Sequence, residues 1–355
     1  MLESRGLRCW LVNARQVKDV PGRPKIDKLD SVWLAKLAER GMVRPSFVPP
    51  KPVRQLRDFT RTRTVFVHER TRHKQRVDKV LQDAQIRLSS VATDPLGVSG
   101  RAMMEALIAG ERSPRSLADL APGKLTAKRY ALIEAMTGQF EDHHARLLKL
   151  LLATVDHLSE QIAALDQEIA ASIDALPDPR GAPVDTSAGT DGTLFGCELL
   201  IRLDEIPGVG PVAARALLAE IGPDMSVFPS PDHLASWAKL CPRTIESGVK
   251  STTGPAGKGN PWLGEAASAA ARTDTFLGAR YRRLVKRRGH AKALVAVARS
   301  ILVIAWHLIS APQALYHELG PDWHHKHLNP QRRTHDLVRQ LERLGHTVTL
   351  APTTA

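Results

Sequence analysis

"GRPKIDKLDSVWLAKLAERG" (Gly22 to Gly41) is the stretch on which the reading of this chain turns. A Gly/Pro turn leads into apolar residues at helical spacing, with Asp27 and Asp30 three residues apart at the start. In a helix that spacing puts both carboxylates on one face. Like charges side by side repel unless something compensates them, and a divalent cation with oxygen ligands is a common compensator. Two carboxylates alone do not complete such a site, so the pattern predicts further ligands elsewhere.

Immediately N-terminal, "LRCWLVNA" (Leu7 to Ala14) predicts a buried strand, which makes the beginning of the chain α/β. On the other side, the extended "VRPSFVPP" precedes a long helix predicted from about Pro52 to Leu88. Between Arg44 and Lys79 there are 11 Lys/Arg and 3 acids. Arg54, Arg57 and Arg61, then Arg72, Arg76 and Lys79, recur at spacings of three and four and form a stripe suited to a phosphate backbone. A solvated face is the plain alternative, and the shortage of balancing acids argues for polyanion contact.

The whole chain leans the same way. Its 355 residues suffice for two or three cores, and 50 Lys/Arg against 37 Asp/Glu give a net charge of +13. Such a balance points to a polyanionic partner, most simply nucleic acid. Cys9, Cys197 and Cys241 are scattered, which excludes a disulfide scaffold or a cysteine zinc site and fits a reducing cytoplasm. The longest apolar run, "ALVAVARSILVIAWHLI", is interrupted by Arg299, Ser300 and His307, so no membrane partner is expected. "MLESRG" has no signal-peptide pattern.

Further along, Val155, Leu158, Ile162, Leu165, Ile169, Ile173 and Leu176 follow steps of three and four, the near-heptad of a coiled coil or helical hairpin. Without an evident partner in the chain, this seam predicts homo-oligomerisation. "PDPRGAPVDTSAGTDGT" (Pro177 to Thr193) reads as a linker. "IPGVGPVAARALLAEIG" (Ile206 to Gly222) carries a helix-hairpin-helix signature, in which Gly208 and Gly210 allow backbone N–H groups to face a phosphate. Its plain alternative is a tight turn between packed helices. "LCPRTIESGVKSTTGPAGKGNPWL" (Leu240 to Leu263) reads as a long polar loop containing Ser247, Lys250 and Lys258. Its composition favours a phosphate clamp over a serine nucleophile. "ARYRRLVKRRGHAKALVAVAR" (Ala279 to Arg299) holds eight Lys/Arg and no acid, a second basic surface. His317, His324, His325 and His327 fit no standard metal-ligand spacing and read as a polar surface segment.

Taken together, "WLVNARQVKDVPGR", "DKLDSVWLAKLAERG", "RPSFVPP", "LGVSGRAMMEALIAGER", "IPGVGPVAARALLAEIG", "FPSPDHLASWAKLCP", "ES" with "KGNPWL", and "AVARSILVIAWHL" resemble a DEDD-type insertion-sequence transposase. The family is the insertion-sequence family numbered one hundred and ten, related to Piv-type invertases. The resemblance implies an incomplete RuvC-like domain of ribonuclease-H type (1–125), coiled-coil helices and linker (126–193), and an all-α C-terminal transposase domain (194–355). It also implies magnesium held by an Asp, a Glu and two Asp residues, of which Asp27 and Asp30 match the last two. Ser247 matches the serine that forms a phosphoserine link to DNA. Element ends and target DNA, and a structured noncoding guide RNA, are the implied partners. The first two acids of the quartet lie upstream of "WLVNA" in the family, so the expectation is an open reading frame extending beyond Met1. The family's Lys/Arg-rich run after the serine is here "VKSTTGPAG". The expected function is DNA transposition in the bacterial cytoplasm. The alternatives are a nucleic-acid-binding remnant and a Holliday-junction-resolvase-like nuclease, which would have no use for Ser247.

Overall fold

The computed structural model describes residues 5–6, 9–12, 27–43, 45–179, 195–242, 244–247, 250–254, 260–311, 313–327 and 330–351. Two compact units emerge: residues 55–175, and residues 1–54 together with 176–355. Helices dominate both.

The first helix among the described residues, α1 (Asp27–Glu39), carries Asp27 and Asp30, as the sequence reading expects. Among the described residues of the "LRCWLVNA" stretch, the expected buried strand is not found. Trp10 and Leu11 are 47% and 61% exposed, and the pairing is one bridge between Val12 and Pro45. A strand is held by a ladder on its neighbours, and one bridge with one Ser46 N–H donated to Leu11 O (2.7 Å) is too little to define it.

The unit of residues 55–175 is a helical hairpin with a cap. It contains all but the first turn of α2 (Lys51–Asp83), then α3 (Leu88–Val91), α4 (Val98–Ile108), α5 (Pro114–Asp119), α6 (Arg129–Ala135) and α7 (Asp142–Asp174). Helices α2 and α7 run antiparallel: Arg63 meets Asp166, Arg70 meets Ser159, and Asp83 meets His144. The near-heptad seam of α7 therefore has its partner inside the chain. Oligomerisation, expected because no partner was evident, loses that basis. The seam of α2 was hard to see because its middle is polar. Val53, Leu56, Thr60, Arg63, Val67, Arg70, Lys74, Val77 and Leu81 keep steps of three and four throughout. At the capped end, Val77, Leu81, Met103, Met104, Leu107, Leu117, Leu132, Leu148 and Leu152 share one core, which joins α2, α4, α5, α6 and α7. Each large aliphatic side chain buried there contributes about 2 kcal/mol.

In the other unit, α8 (Phe195–Asp204), α9 (Pro211–Ile221), α10 (Pro231–Trp237), α11 (Pro261–Ala270), α12 (Phe276–Arg288), α13 (His290–Ser310), α14 (Trp323–Lys326) and α15 (Pro330–Arg343) follow in order. Helix α13 is long and apolar enough to cross a membrane by composition. Its buried residues, including Val297, Ile301, Leu302 and Leu308, instead pack against α8, α10, α11 and α12. It is the core helix of the unit. The region is not all-α as expected: Thr244–Ser247 and Lys250–Thr253 form an antiparallel hairpin, β1 and β2, within the polar segment read as a loop. Thr244, Ile245, Thr252 and Thr253 are β-branched and explain the strands. Phe47 of the "RPSFVPP" segment packs edge-on against Phe228 (5.2 Å) and Trp237 (6.0 Å), tying that segment to α10.

Candidate functional site

Ser247 is the last residue of β1, and across the ladder its partner is Lys250, the first residue of β2. Glu246 pairs with Ser251 one step further from the turn. The hairpin thus places the predicted serine and one predicted lysine directly opposite each other at the turn end. Lys258 lies outside the described residues, as do the side chains of Ser247 and Lys250. Asn260 closes the segment: its side chain accepts the Trp262 N–H (3.0 Å), and Pro261 occupies the first helical position of α11.

Gly208 and Gly210 behave differently, which the sequence motif does not reveal. Gly208 has φ +86, and a Cβ there would lie 2.4 Å from Ala270 N and 2.5 Å from Ala266 O of α11. Close helix packing and the left-handed backbone both require glycine at that position. Gly210 is the N-cap of α9 with φ −86 and ψ 176, and a Cβ there would meet nothing within 4 Å. The open approach to the α9 N-terminus, where unpaired N–H groups and the helix dipole favour an anion, is therefore at Gly210.

Asp30 is half-buried on α1, and the Asp27 side chain lies outside the described residues. Two carboxylates fit magnesium by donor type, since it takes hard oxygen ligands. Among the described residues, no group of three close metal-ligating side chains includes Asp30.

Such a group does form in residues 55–175, from Asp83, His143 and His144. Its hydrogen bonds argue against a metal. The Glu141 N–H donates to His144 Nδ1 (3.1 Å), so Nδ1 carries no proton and Nε2 donates to Asp83 (3.1 Å). A cation on Nε2 would force the proton onto Nδ1, against the Glu141 N–H. The buried His144 is the N3 partner of Glu141 in a capping box at the start of α7, a role that neither composition nor spacing indicated.

Of the predicted basic stripe on α2, Arg54 and Arg57 are half-buried while Arg61, Arg72 and Arg76 are exposed. At about 100° per residue, Arg61, Arg72, Arg76 and Lys79 cluster on the side of α2 opposite the seam carrying Arg63 and Arg70. The stripe is real. Two of its neighbouring arginines are consumed by α7, where Arg63 Nε and Nη2 grip Asp166 at 2.8 and 3.1 Å.

Sequence reasoning stopped at the charge count for α12 and α13 and missed Arg280. Its Nε is buried without a hydrogen-bond partner. Burial first, then the positive charges of Arg283 and Arg299, hold its guanidinium below the usual arginine range.

Comparison with known families meets these features in two separate stretches of the chain. A transposase family of DEDD type, from the IS110 group, matches residues 1–86, which carry α1 and α2. The family described as "Transposase IS116/IS110/IS902 family" matches residues 201–286, from the α8–α9 turn through the β1–β2 hairpin to α12. No curated protein matches the chain. A DEDD-type match suggests use of a divalent metal, and a transposase match suggests DNA as the partner. Together, the two separate matches support an IS110-type transposase, a DNA-modifying enzyme of an insertion sequence.

Proposed function

We propose that this protein moves its insertion sequence by strand exchange through a covalent phosphoserine at Ser247. The two family matches, over residues 1–86 and 201–286, carry the reading, and the pairing of Ser247 with Lys250 at the hairpin end supports it. The Ser247 hydroxyl oxygen attacks a backbone phosphorus and forms a P–O bond. The bond to the leaving sugar oxygen breaks, and that oxygen takes up a proton. A hydroxyl of the incoming strand then attacks the phosphoserine, regenerating the serine and joining the new strands. One phosphodiester is exchanged for another, so no external energy source is required.

Lys250 and Lys258 neutralise the phosphate near the nucleophile, and the N–H groups at the Gly210 end of α9 grip the backbone in the manner of a helix-hairpin-helix. Arg54, Arg57, Arg61, Arg72 and Arg76 hold the nucleic acid along α2, including a structured guide RNA that pairs with the DNA. Asp27 and Asp30 are the carboxylates assigned to Mg²⁺. When bound, the ion supplies Lewis-acid polarisation of the phosphate.

The test compares Ser247→Ala with Ser251→Ala. On this reading the first abolishes the protein–DNA adduct and leaves DNA binding intact, while the second keeps the adduct. Equal loss from both places the nucleophile elsewhere.

A further inference from the structure

Arg280 is a half-buried cation that pairs with no carboxylate among the described residues. It lies on α12, and its Nε is buried without a partner. Acids flanking or packed against these helices pair with other arginines: Asp274 with Arg282 (2.9 Å) and Asp232 with Arg299 (2.6 Å). The charges that bear on Arg280 are those of Arg283, one turn along α12, and Arg299 on the packed α13. Removing a guanidinium from water beside two of its own sign is unfavourable unless something of opposite charge completes the site.

Around it, Glu318 accepts the Phe276 N–H (2.7 Å) at the start of α12, and Arg282 Nη1 donates to Thr273 O (3.1 Å), so both groups are spent on the backbone. The Arg280 guanidinium offers a planar fork that matches two oxygens of one phosphate.

We propose that Arg280, Arg283 and Arg299 form a phosphate site on α12 and α13 that takes the sugar–phosphate backbone of a nucleic acid. A backbone suits it better than an isolated phosphate. Arg283 is followed on α12 by Lys286, Arg287 and Arg288, and no acid interrupts residues 279–299, so consecutive phosphates can be met in line. The assignment to DNA rests on the transposase reading above; the anion site itself does not.

The test uses the full chain, a labelled duplex, and the variants Arg280→Gln, Arg280→Lys and Arg283→Gln, with Arg146→Gln as an exposed control on α7. Arg280→Gln should weaken duplex binding about tenfold at ~0.1 M salt and reduce the log–log salt slope by about one. Arg280→Lys should fall between it and wild type, because the charge survives and the fork does not. Arg146→Gln should bind as wild type does. The melting temperature without ligand should hold or rise in Arg280→Gln, since an uncompensated charge has been removed. Inorganic phosphate should raise the melting temperature of wild type and not of Arg280→Gln.

Duplex binding that is unchanged in Arg280→Gln overturns the site and leaves the transposase reading standing. Phosphate protection of wild type alone, with no duplex binding by any form, upholds the anion site and removes DNA as its ligand. A sharply lower melting temperature in Arg280→Gln, with phosphate protection retained, means that the arginine is structural and overturns the proposal.

Discussion

Gly208→Ala separates packing from phosphate binding in the turn between α8 and α9. Gly208 has φ +86, where an L-residue costs about 1 kcal/mol. The added Cβ would fall 2.4 Å from Ala270 N and 2.5 Å from Ala266 O, both backbone atoms of α11 that cannot step aside like a side chain. Forcing the helices apart adds roughly 1–3 kcal/mol. The substitution should therefore destabilise by about 3 kcal/mol, which for a unit of this size lowers the melting temperature by about 10 °C. Gly210→Ala meets nothing within 4 Å and loses only the modest N-cap advantage of glycine, about 1 kcal/mol or less. Circular dichroism melts and duplex anisotropy on both variants check this. Gly208→Ala should melt early, while Gly210→Ala should melt nearly normally and bind DNA more weakly. Equal melting temperatures would refute the packing argument, and full DNA affinity in Gly210→Ala would remove the α9 N-terminus from the interface.

Three further outcomes follow from contacts already described. Asp166→Asn breaks the two-pronged contact with Arg63 at the hairpin seam and should lower stability by about 1 kcal/mol, less at high salt, by urea melts at two ionic strengths. His144→Phe leaves the Glu141 N–H unpaired and should cost roughly 2 kcal/mol, while zinc added to wild type should leave the melting temperature unchanged; a zinc-dependent rise would show that Asp83, His143 and His144 do bind metal. At Glu318, burial opposes ionisation, but the Tyr316 hydroxyl and the N–H groups of Phe276 and Gly320 outweigh it and hold the carboxyl below its ordinary 4.5. A depressed folded value gives stability that is present above the unfolded value and lost as pH falls through the folded one, so melting should worsen below about pH 4.5 and Glu318→Gln should flatten that loss.

Periodicity made the helices legible. Helix α1 carries Asp27 and Asp30, α2 spans most of the predicted basic helix, and α7 carries the near-heptad. The pairing of α2 with α7 was not legible, because the middle of the α2 seam holds Thr60, Arg63, Arg70 and Lys74 instead of aliphatic residues. The signal that could have found it is charge complementarity, Arg63 facing Asp166. Leu7–Ala14 has strand composition, but composition does not supply the neighbour that a strand needs. The β1–β2 hairpin was hidden by serine, glycine and lysine, although a pair of β-branched residues stands at the outer end of each strand, Thr244–Ile245 and Thr252–Thr253. At the candidate site, Ser247 was picked out by the family resemblance and Lys250 by residue type, while only the folded structure reveals that Gly208 serves packing. That Arg280 pairs with no carboxylate among the described residues is likewise a property of packing, since the sequence shows only a run of basic residues.

The central claim is that strand exchange passes through a covalent serine. Its most direct measurement incubates the protein, a divalent cation and DNA spanning the element's ends, traps protein–DNA adducts, and locates the linked residue by mass spectrometry after nuclease digestion. The account predicts a phosphodiester remnant on the peptide containing Ser247 and its loss in Ser247→Ala. Cleaved DNA with free ends and no adduct, or a remnant on any other residue, would contradict it.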